Sequence, residues 1–368
     1  MALTRIQTDS LGGSTVIANN IANSAITLGK VDTATQQLFG SRNRIINGNM
    51  QINQRNAANV SANGYTLDRW KFATTNTFSG GVVNYDTSGT GGRFVGFLKF
   101  STDSASGSIG ASDNVNISQP IEGFNISDLQ WGTQWASPVT LSFWIRVYTS
   151  GSGSGNYTGA IQNNDKTLSY VFTFNVPTAS AWQFVTITIP GPTYGTWTKD
   201  NTAGMHVVFN LGAGSTFTTS SNNAWASGNF TTTSAVTVQS LATASFGNFH
   251  LAQVQLEKGS VASPFEWRPY NTELALCQRY YWDPGFSTNY IWMHPLSPDA
   301  GYRRCNVFFP VGMRANPTVT FTTGISGTFS AGNPSVDTAT KHTIVINGDM
   351  TTNNGYAYIT SLKANAEL

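Results

Sequence analysis

The sequence predicts an all-β protein. Residues 42–271 read as a jelly-roll β-sandwich and residues 272–368 as a small C-terminal β-domain, with a short oligomerising segment, residues 1–41, ahead of both. Three observations carry this reading. Charged residues make up only 10% of the chain, against about a quarter in an average globular domain. Aromatic residues reach 12%, and with the many Thr and Val residues they suit a pleated, half-buried surface. Finally, Val139–Tyr148 alternates strictly: Val139, Leu141, Phe143, Ile145 and Val147 fall on one face, and Thr140, Ser142, Trp144, Arg146 and Tyr148 on the other.

Each element follows in order. In residues 1–41, Ile17, Ile21, Leu28, Val31 and Leu38 fall on alternating four- and three-residue steps, with Ser24 and Thr35 in the two polar slots. This is a short heptad seam, β-branched enough for three strands of helix as well as two. A rival period of five, Val16, Ile21, Ile26 and Val31, fits neither helix nor strand, and Gly29 weakens a helix. Either way the stripe is too thin to fold alone and has to meet other chains. From Arg42 onward the period is two. Strands are expected at Arg93–Phe100, Val139–Tyr148, Leu168–Val176, Trp182–Ile189, Met205–Leu211 and Phe249–Leu256, separated by Gly/Ser/Pro punctuation. The Gly/Ser run within Ser150–Asn156 lies inside this unit and reads as a hairpin loop. A Pro- and aromatic-rich exit and a short amphipathic turn lead into the last unit, with strands at Asn306–Pro310, Thr318–Phe321, His342–Ile346 and Tyr356–Leu362. Ile46-Asn-Gly48 recurs as Ile346-Asn-Gly348, each Asn-Gly being a tight-turn signal.

The formal net charge of +2, with Lys and Arg scattered, gives no electrostatic footprint for nucleic acid. No apolar run approaches the length of a membrane span, so no membrane insertion is expected, and Met1-Ala-Leu-Thr-Arg-Ile-Gln7 lacks the apolar stretch of a secretory signal. Cys277 and Cys305 read as two reduced, buried thiols, with a single disulfide as the alternative.

No catalytic signature emerges. His206, His250, His294 and His342 show no ligand spacing, there is no Gly-x-Ser-x-Gly elbow, and no carboxylate pair of the glycosidase kind is identifiable. Glu266, between Phe265 and Trp267, reads as a structural ion-pair or hydrogen-bond partner. Glycan binding is the constructive alternative, because sugar C–H faces pack on flat rings while their hydroxyls need amides, Asp or Arg. Trp144, Arg146 and Tyr148 share one strand face and are the first candidates, with His206 and Asn210 as additions. The competing use of that face is packing against a subunit or domain. Trp131, Trp135, Tyr157, Trp197 and Trp225 form a second set, in loops. Trp282, Tyr290, Trp292, His294, Arg303 and Arg304 form a third, in the last unit.

One stretch adds a resemblance. Gln255-Leu-Glu-Lys-Gly259, Phe265-Glu-Trp-Arg-Pro269 and Glu273-Leu-Ala-Leu-Cys-Gln-Arg-Tyr-Tyr281 closely resemble a junction found in bacteriophage tail-fibre and receptor-binding proteins. The likeness extends to Ile45-Ile-Asn-Gly-Asn-Met50, Tyr65-Thr-Leu-Asp-Arg-Trp70 and the chain end at Asn365-Ala-Glu-Leu368. It implies a homotrimer, attachment of residues 1–41 to other phage tail or baseplate proteins, a carbohydrate-binding-module-like jelly roll, and a virion protein made in the host cytoplasm. Host surface polysaccharide is the implied partner. No cofactor is expected, except that such jelly rolls often hold a structural Ca²⁺, for which Asn47, Asn49 and Glu257 are the candidates by that resemblance. A structural tail or baseplate adaptor and a polysaccharide depolymerase stay open as alternatives.

Overall fold

The computed structural model describes residues 42–368 apart from 57–58, 76–80, 89, 103–108, 152, 286–290, 296–300, 327–333 and 352–355. The seam of Ile17, Ile21, Leu28, Val31 and Leu38 therefore lies outside the described residues. Among the described residues the regular structure is nearly all strand. Before the helix come β1 (Gly64–Tyr65), β2 (Lys71–Thr74), β3 (Gly81–Asp86), β4 (Phe97–Thr102), β5 (Asn114–Glu122), β6 (Val139–Tyr148) and β7 (Gly155–Asn163). They are followed by β8 (Leu168–Val176), β9 (Gln183–Ile189), β10 (Ala203–Ala213), β11 (Thr218–Thr219), β12 (Ala224–Ser227), β13 (Thr232–Thr233) and β14 (Asn248–Lys258).

These strands build a β-sandwich. One sheet has seven strands in the order β1-β2-β5-β10-β7-β8-β12, and the facing sheet has five in the order β3-β4-β14-β6-β9. All pairings within both sheets are antiparallel. The inward rows interlock through Phe72, Phe100, Phe143, Phe209 and Phe249, all fully buried. Strand alternation thus puts the aliphatic row of β6 in the core, and Trp144, Arg146 and Tyr148 on the outer face. Burying one such aromatic side chain contributes about 1.5–3 kcal/mol, so this core dominates the stability of the sandwich.

Three sequence expectations need correction. The Gly/Ser run after β6 joins the five-stranded sheet to the seven-stranded one, so it is a crossover and no hairpin. Two glycines with positive φ, Gly153 (88°) and Gly155 (137°), allow the sharp turn. Residues 93–96 are not strand. Gly91 and Gly92, at φ 62° and 73°, turn the chain so that Phe94 folds onto the outer face of the five-stranded sheet. Finally, Asn347-Gly348 lies inside a strand, whereas Asn47-Gly48 is a turn, with Asn47 at φ 58° and Met50 N–H donating to the Asn47 carbonyl at 3.1 Å.

The amphipathic turn is a helix, α1 (Tyr270–Gln278), begun after Pro269. Beyond it lie β15 (Tyr281–Trp282), β16 (Ile291–Pro295), β17 (Gly301–Phe308), β18 (Thr318–Ser326), β19 (Ser335–Ala339), β20 (Thr343–Met350) and β21 (Tyr356–Asn365). They pair antiparallel around a core of Met313, Ile344, Ile346, Ile359 and Leu362. Cys277 and Cys305 are both buried and both free.

The segments that carry the resemblance meet in one place. Arg69, 1% exposed, pairs with Glu367, and its guanidinium lies 3.6 Å over the Tyr280 ring. Arg55 reaches the same Glu367 at 2.9 Å and stacks 3.7 Å over Tyr281. Buried Glu122 accepts from Arg279 Nε at 2.9 Å and Tyr280 Oη at 2.6 Å. Glu273 accepts from the Asn47 backbone N–H and pairs with Arg268 at 3.3 Å. The Asn43 N–H donates to Glu266 at 2.6 Å, consistent with the structural part expected of that carboxylate. Gly48 has no alternative residue here, because a Cβ would sit 2.2 Å from the Val254 carbonyl oxygen. The recognisable wording of this sequence is the joint between sandwich, helix and C-terminal sheet.

Candidate functional site

The outer face of the five-stranded sheet holds the aromatic row. Trp144 is half-buried, with Phe94 at 5.8 Å and Phe184 at 5.3 Å between ring centroids and the Arg93 guanidinium 4.2 Å above it. Arg146 lies 5.1 Å from the Trp182 ring and donates from Nε to His250 Nδ1 at 3.0 Å. Tyr148 meets the His250 ring edge-on at 5.4 Å. Burial first, and then Arg146, push the His250 pKa down to about 3, so the ring is neutral at pH 7. This row is brought together, but its faces are spent on one another.

The loop aromatics divide. Trp131, Trp197 and Trp225 pack edge-to-face in a three-way knot, with centroids 4.7, 5.5 and 5.7 Å apart, and Trp225, expected in a loop, belongs to strand β12. Each indole N–H donates to a backbone carbonyl: Ser137, Tyr194 and Pro190 respectively. Tyr157 belongs to β7 and is buried, donating to the Gly153 carbonyl at 2.7 Å. Trp135 alone stands out, at 69% exposed. In the last unit, Tyr290 lies outside the described residues. Trp292 and His294 are placed by backbone only, paired with Tyr358 and Arg304. Trp282 is buried against Phe309.

The Ca²⁺ candidates do not fit a shared cation. Asn47 Oδ1 accepts from the Ile52 N–H at 3.0 Å. Both Glu257 oxygens accept from Ser263, at 2.8 Å from its N–H and 2.6 Å from its hydroxyl. Asn49 is buried, outside both of those networks. The Asn47 and Glu257 oxygens already face protein donors, and the buried Asn49 Oδ1, without a hydrogen-bond partner among the described residues, is one ligand and not a site.

A different surface emerges on the seven-stranded sheet. Alternation along β5 turns Val115 and Ile117 into the core and Asn114, Asn116 and Ser118 outward. The register sets Lys71 of β2 beside Ser118, and His206 of β10 between Pro120 and Gln162. Phe230 covers the neighbouring apolar patch of Ala160, Val171 and Val208. Between that cover and β2 a groove stays open, enclosing about 80 Å³. Lys166 closes one side from the β7–β8 turn, held at φ 57° by its N–H bond to the Asn163 carbonyl. Asn163 braces that turn further, its Oδ1 accepting from the Leu168 N–H at 2.9 Å.

His206 and Asn210 therefore lie on the opposite side of the sandwich from Trp144 and cannot complete that row. His206 lines the groove. Its ring donates to the Asn164 backbone, yet burial first, and then Lys166, lower its pKa to about 4. Asn210 is buried and donates to Thr158 Oγ1 at 3.0 Å. Sequence reasoning missed Lys71, Asn116, Ser118, Gln162 and Lys166. The available signal was the Asn114-Val-Asn-Ile-Ser118 alternation, whose outward positions are all small and polar.

No protein-family profile matches the sequence, and no curated protein is similar to it at a significant level. Among solved structures, the chain is similar to the enzymatically active domain of tailspike protein 4 from bacteriophage CBA120, at 12% identity and a TM-score of 0.32. That match covers 59% of this chain and 21% of the tailspike chain, so this chain spans about a fifth of it. A family 4 carbohydrate-binding module matches at 15% identity and a TM-score of 0.31, covering 58% of this chain and 97% of the module. The family 22 xylan-binding domain of Paenibacillus barcinonensis Xyn10C gives 10% identity, a TM-score of 0.28, and coverage of 56% and 99%. Likenesses this loose say nothing of ligand or activity.

Proposed function

We propose that this protein binds glycan through the groove on the seven-stranded sheet, as a phage tail fibre that adsorbs to host surface polysaccharide. One observation supports the binding reading above the others: a sheet face covered elsewhere by Phe230 leaves amides, a hydroxyl and two ammonium groups converging on open space. Hydrogen-bonding groups of this kind orient a sugar's hydroxyls. A non-catalytic reading is favoured because, among the described residues, no Asp or Glu side chain lines the groove, whereas glycosidic cleavage uses a carboxyl pair. The fibre reading draws on the junction wording. Trimerisation through residues 1–41 would multiply weak sites into useful avidity.

The test is affinity electrophoresis of the full chain through gels holding a panel of neutral and acidic polysaccharides. Retardation by some polymer, weakened by Asn116→Ala and unchanged by Phe184→Ala on the other sheet, is expected. Retardation that follows Phe184 instead would move the site to the aromatic face, and none by any polymer would remove the binding reading. Light scattering checks the assembly: the full chain should have the mass of a trimer, and a chain starting at Arg42 a lower one.

A further inference from the structure

Resting on the glycan-binding reading of this groove, we infer that what enters it is an anionic substituent, the carboxylate of an acidic sugar, and not a neutral ring. Size is the first argument. A groove of about 80 Å³ is small beside the roughly 300–1,000 Å³ of clefts that bury whole ligands. A carboxylate fits, while the pyranose that bears it stays above the sheet.

Charge is the second. Lys71 and Lys166 both line the groove, and neither ammonium is in an ion pair among the described residues. The two feel each other: the Lys166 ammonium is held below the ordinary lysine range, first by partial desolvation and then by Lys71. An anion between them would relieve that repulsion. The carboxylates nearby are committed elsewhere. Asp165, in the same turn as Lys166, accepts from Thr167 Oγ1 at 2.9 Å. Asp113 and Glu122, at the two ends of β5, accept from the Gly110 N–H and from Arg279 with Tyr280. At the groove's end Leu368, the last residue of the sequence, brings a main-chain carboxylate that already accepts from Tyr65 Oη at 2.8 Å and lies in no ion pair with either lysine.

Position is the third. Lys166 keeps a left-handed backbone that ordinary residues adopt only at a cost of about 1 kcal/mol, so the turn presents a long cation where Gly or Asn would be less strained. Ser118 supplies an uncharged hydroxyl donor on the groove wall, while the one N–H of neutral His206 is already given to the Asn164 backbone. Two cations with a neutral hydroxyl on the same wall suit a monoanion, which bridges both.

The full chain is tested by affinity electrophoresis against polygalacturonate, alginate and hyaluronate, each beside its carboxyl-reduced form, with dextran sulfate as a separate arm. Retardation by a carboxylated polymer and not by its reduced form is expected, fading with added salt. Lys71→Gln with Lys166→Gln should weaken it roughly tenfold or more, the size of one charge-assisted hydrogen bond. Lys71→Arg with Lys166→Arg should restore it, and Lys341→Gln, in the turn between β19 and β20, should leave it unchanged. Equal retardation by the reduced polymers, or indifference to the two lysines, overturns the anionic assignment and leaves glycan binding standing. Retardation by dextran sulfate alone overturns the carboxylate assignment. No retardation by these or by any polymer of the wider panel overturns both readings.

Discussion

The joint and the groove use charge in opposite ways. In the joint, Arg55, Arg69, Arg268 and Arg279 each meet a carboxylate, and two of them also stack on tyrosine rings. In the groove, Lys71 and Lys166 face open space, and neither is in an ion pair among the described residues. A buried charge is tolerated only when paired and hydrogen-bonded, so the joint's residues hold the units together and have little left to offer a ligand. A half-exposed ammonium keeps most of its hydration and can stay unpaired until an anion arrives. Arginine in the joint and lysine in the groove fit this division, since the planar guanidinium forks onto carboxylates and stacks on rings, while the ammonium is a compact point charge.

The largest expected effect is in the joint. Arg69→Ala removes the cation over Tyr280 and leaves Glu367 with Arg55 alone, which should cost about 3 kcal/mol, the low end for breaking a buried pair, lowering Tm by several °C in differential scanning calorimetry. An unchanged Tm would mean that the joint does not hold the units together. Gly48→Ala comes next. The added methyl meets the Val254 carbonyl at 2.2 Å, and overpacking of this kind costs ~1–3 kcal/mol, read as a shift in the urea midpoint.

Acid titration gives a smaller effect. His206 and His250 have folded pKa values of about 4 and about 3, below the ordinary 6.5. The unfolded chain therefore binds more protons, and stability falls as pH drops from 6.5 toward 4. Asp68 acts in the opposite sense, because burial raises its pKa to about 6, so its contribution to stability grows over part of that range. Two histidines outweigh one carboxyl. A Tm series should decline below pH 6.5, and less steeply in His250→Gln. The smallest effect on stability belongs to the groove: Lys71→Gln should move the unfolding free energy by no more than about 0.5 kcal/mol while weakening acidic-glycan binding. A large loss of stability would show that Lys71 serves the fold.

Much of the sandwich is legible in the chain. The alternation of β6 assigns its core face correctly, and β8 falls on Leu168–Val176 as expected. Sites are harder to read, for a physical reason. Period two says which side of a strand a residue faces, but not which strand lies beside it. Trp144, Arg146 and Tyr148 form a visible row within one strand, yet Phe94, Trp182 and His250 arrive from elsewhere and occupy it. The groove draws Lys71 from β2, Ser118 from β5, His206 from β10 and Lys166 from a turn, so no local pattern announces it.

Composition and alternation alone were enough to establish an all-β chain and a sandwich with an inward aliphatic row. These follow from local rules, because burial and backbone pairing act on neighbours along the strand. Which aromatics are spent in packing, which arginines find carboxylates some 300 residues away, and where two lysines are left facing each other depend on strand order and register. Those are settled only when distant segments pair, since the energy of a charge or a ring is set by what surrounds it in space.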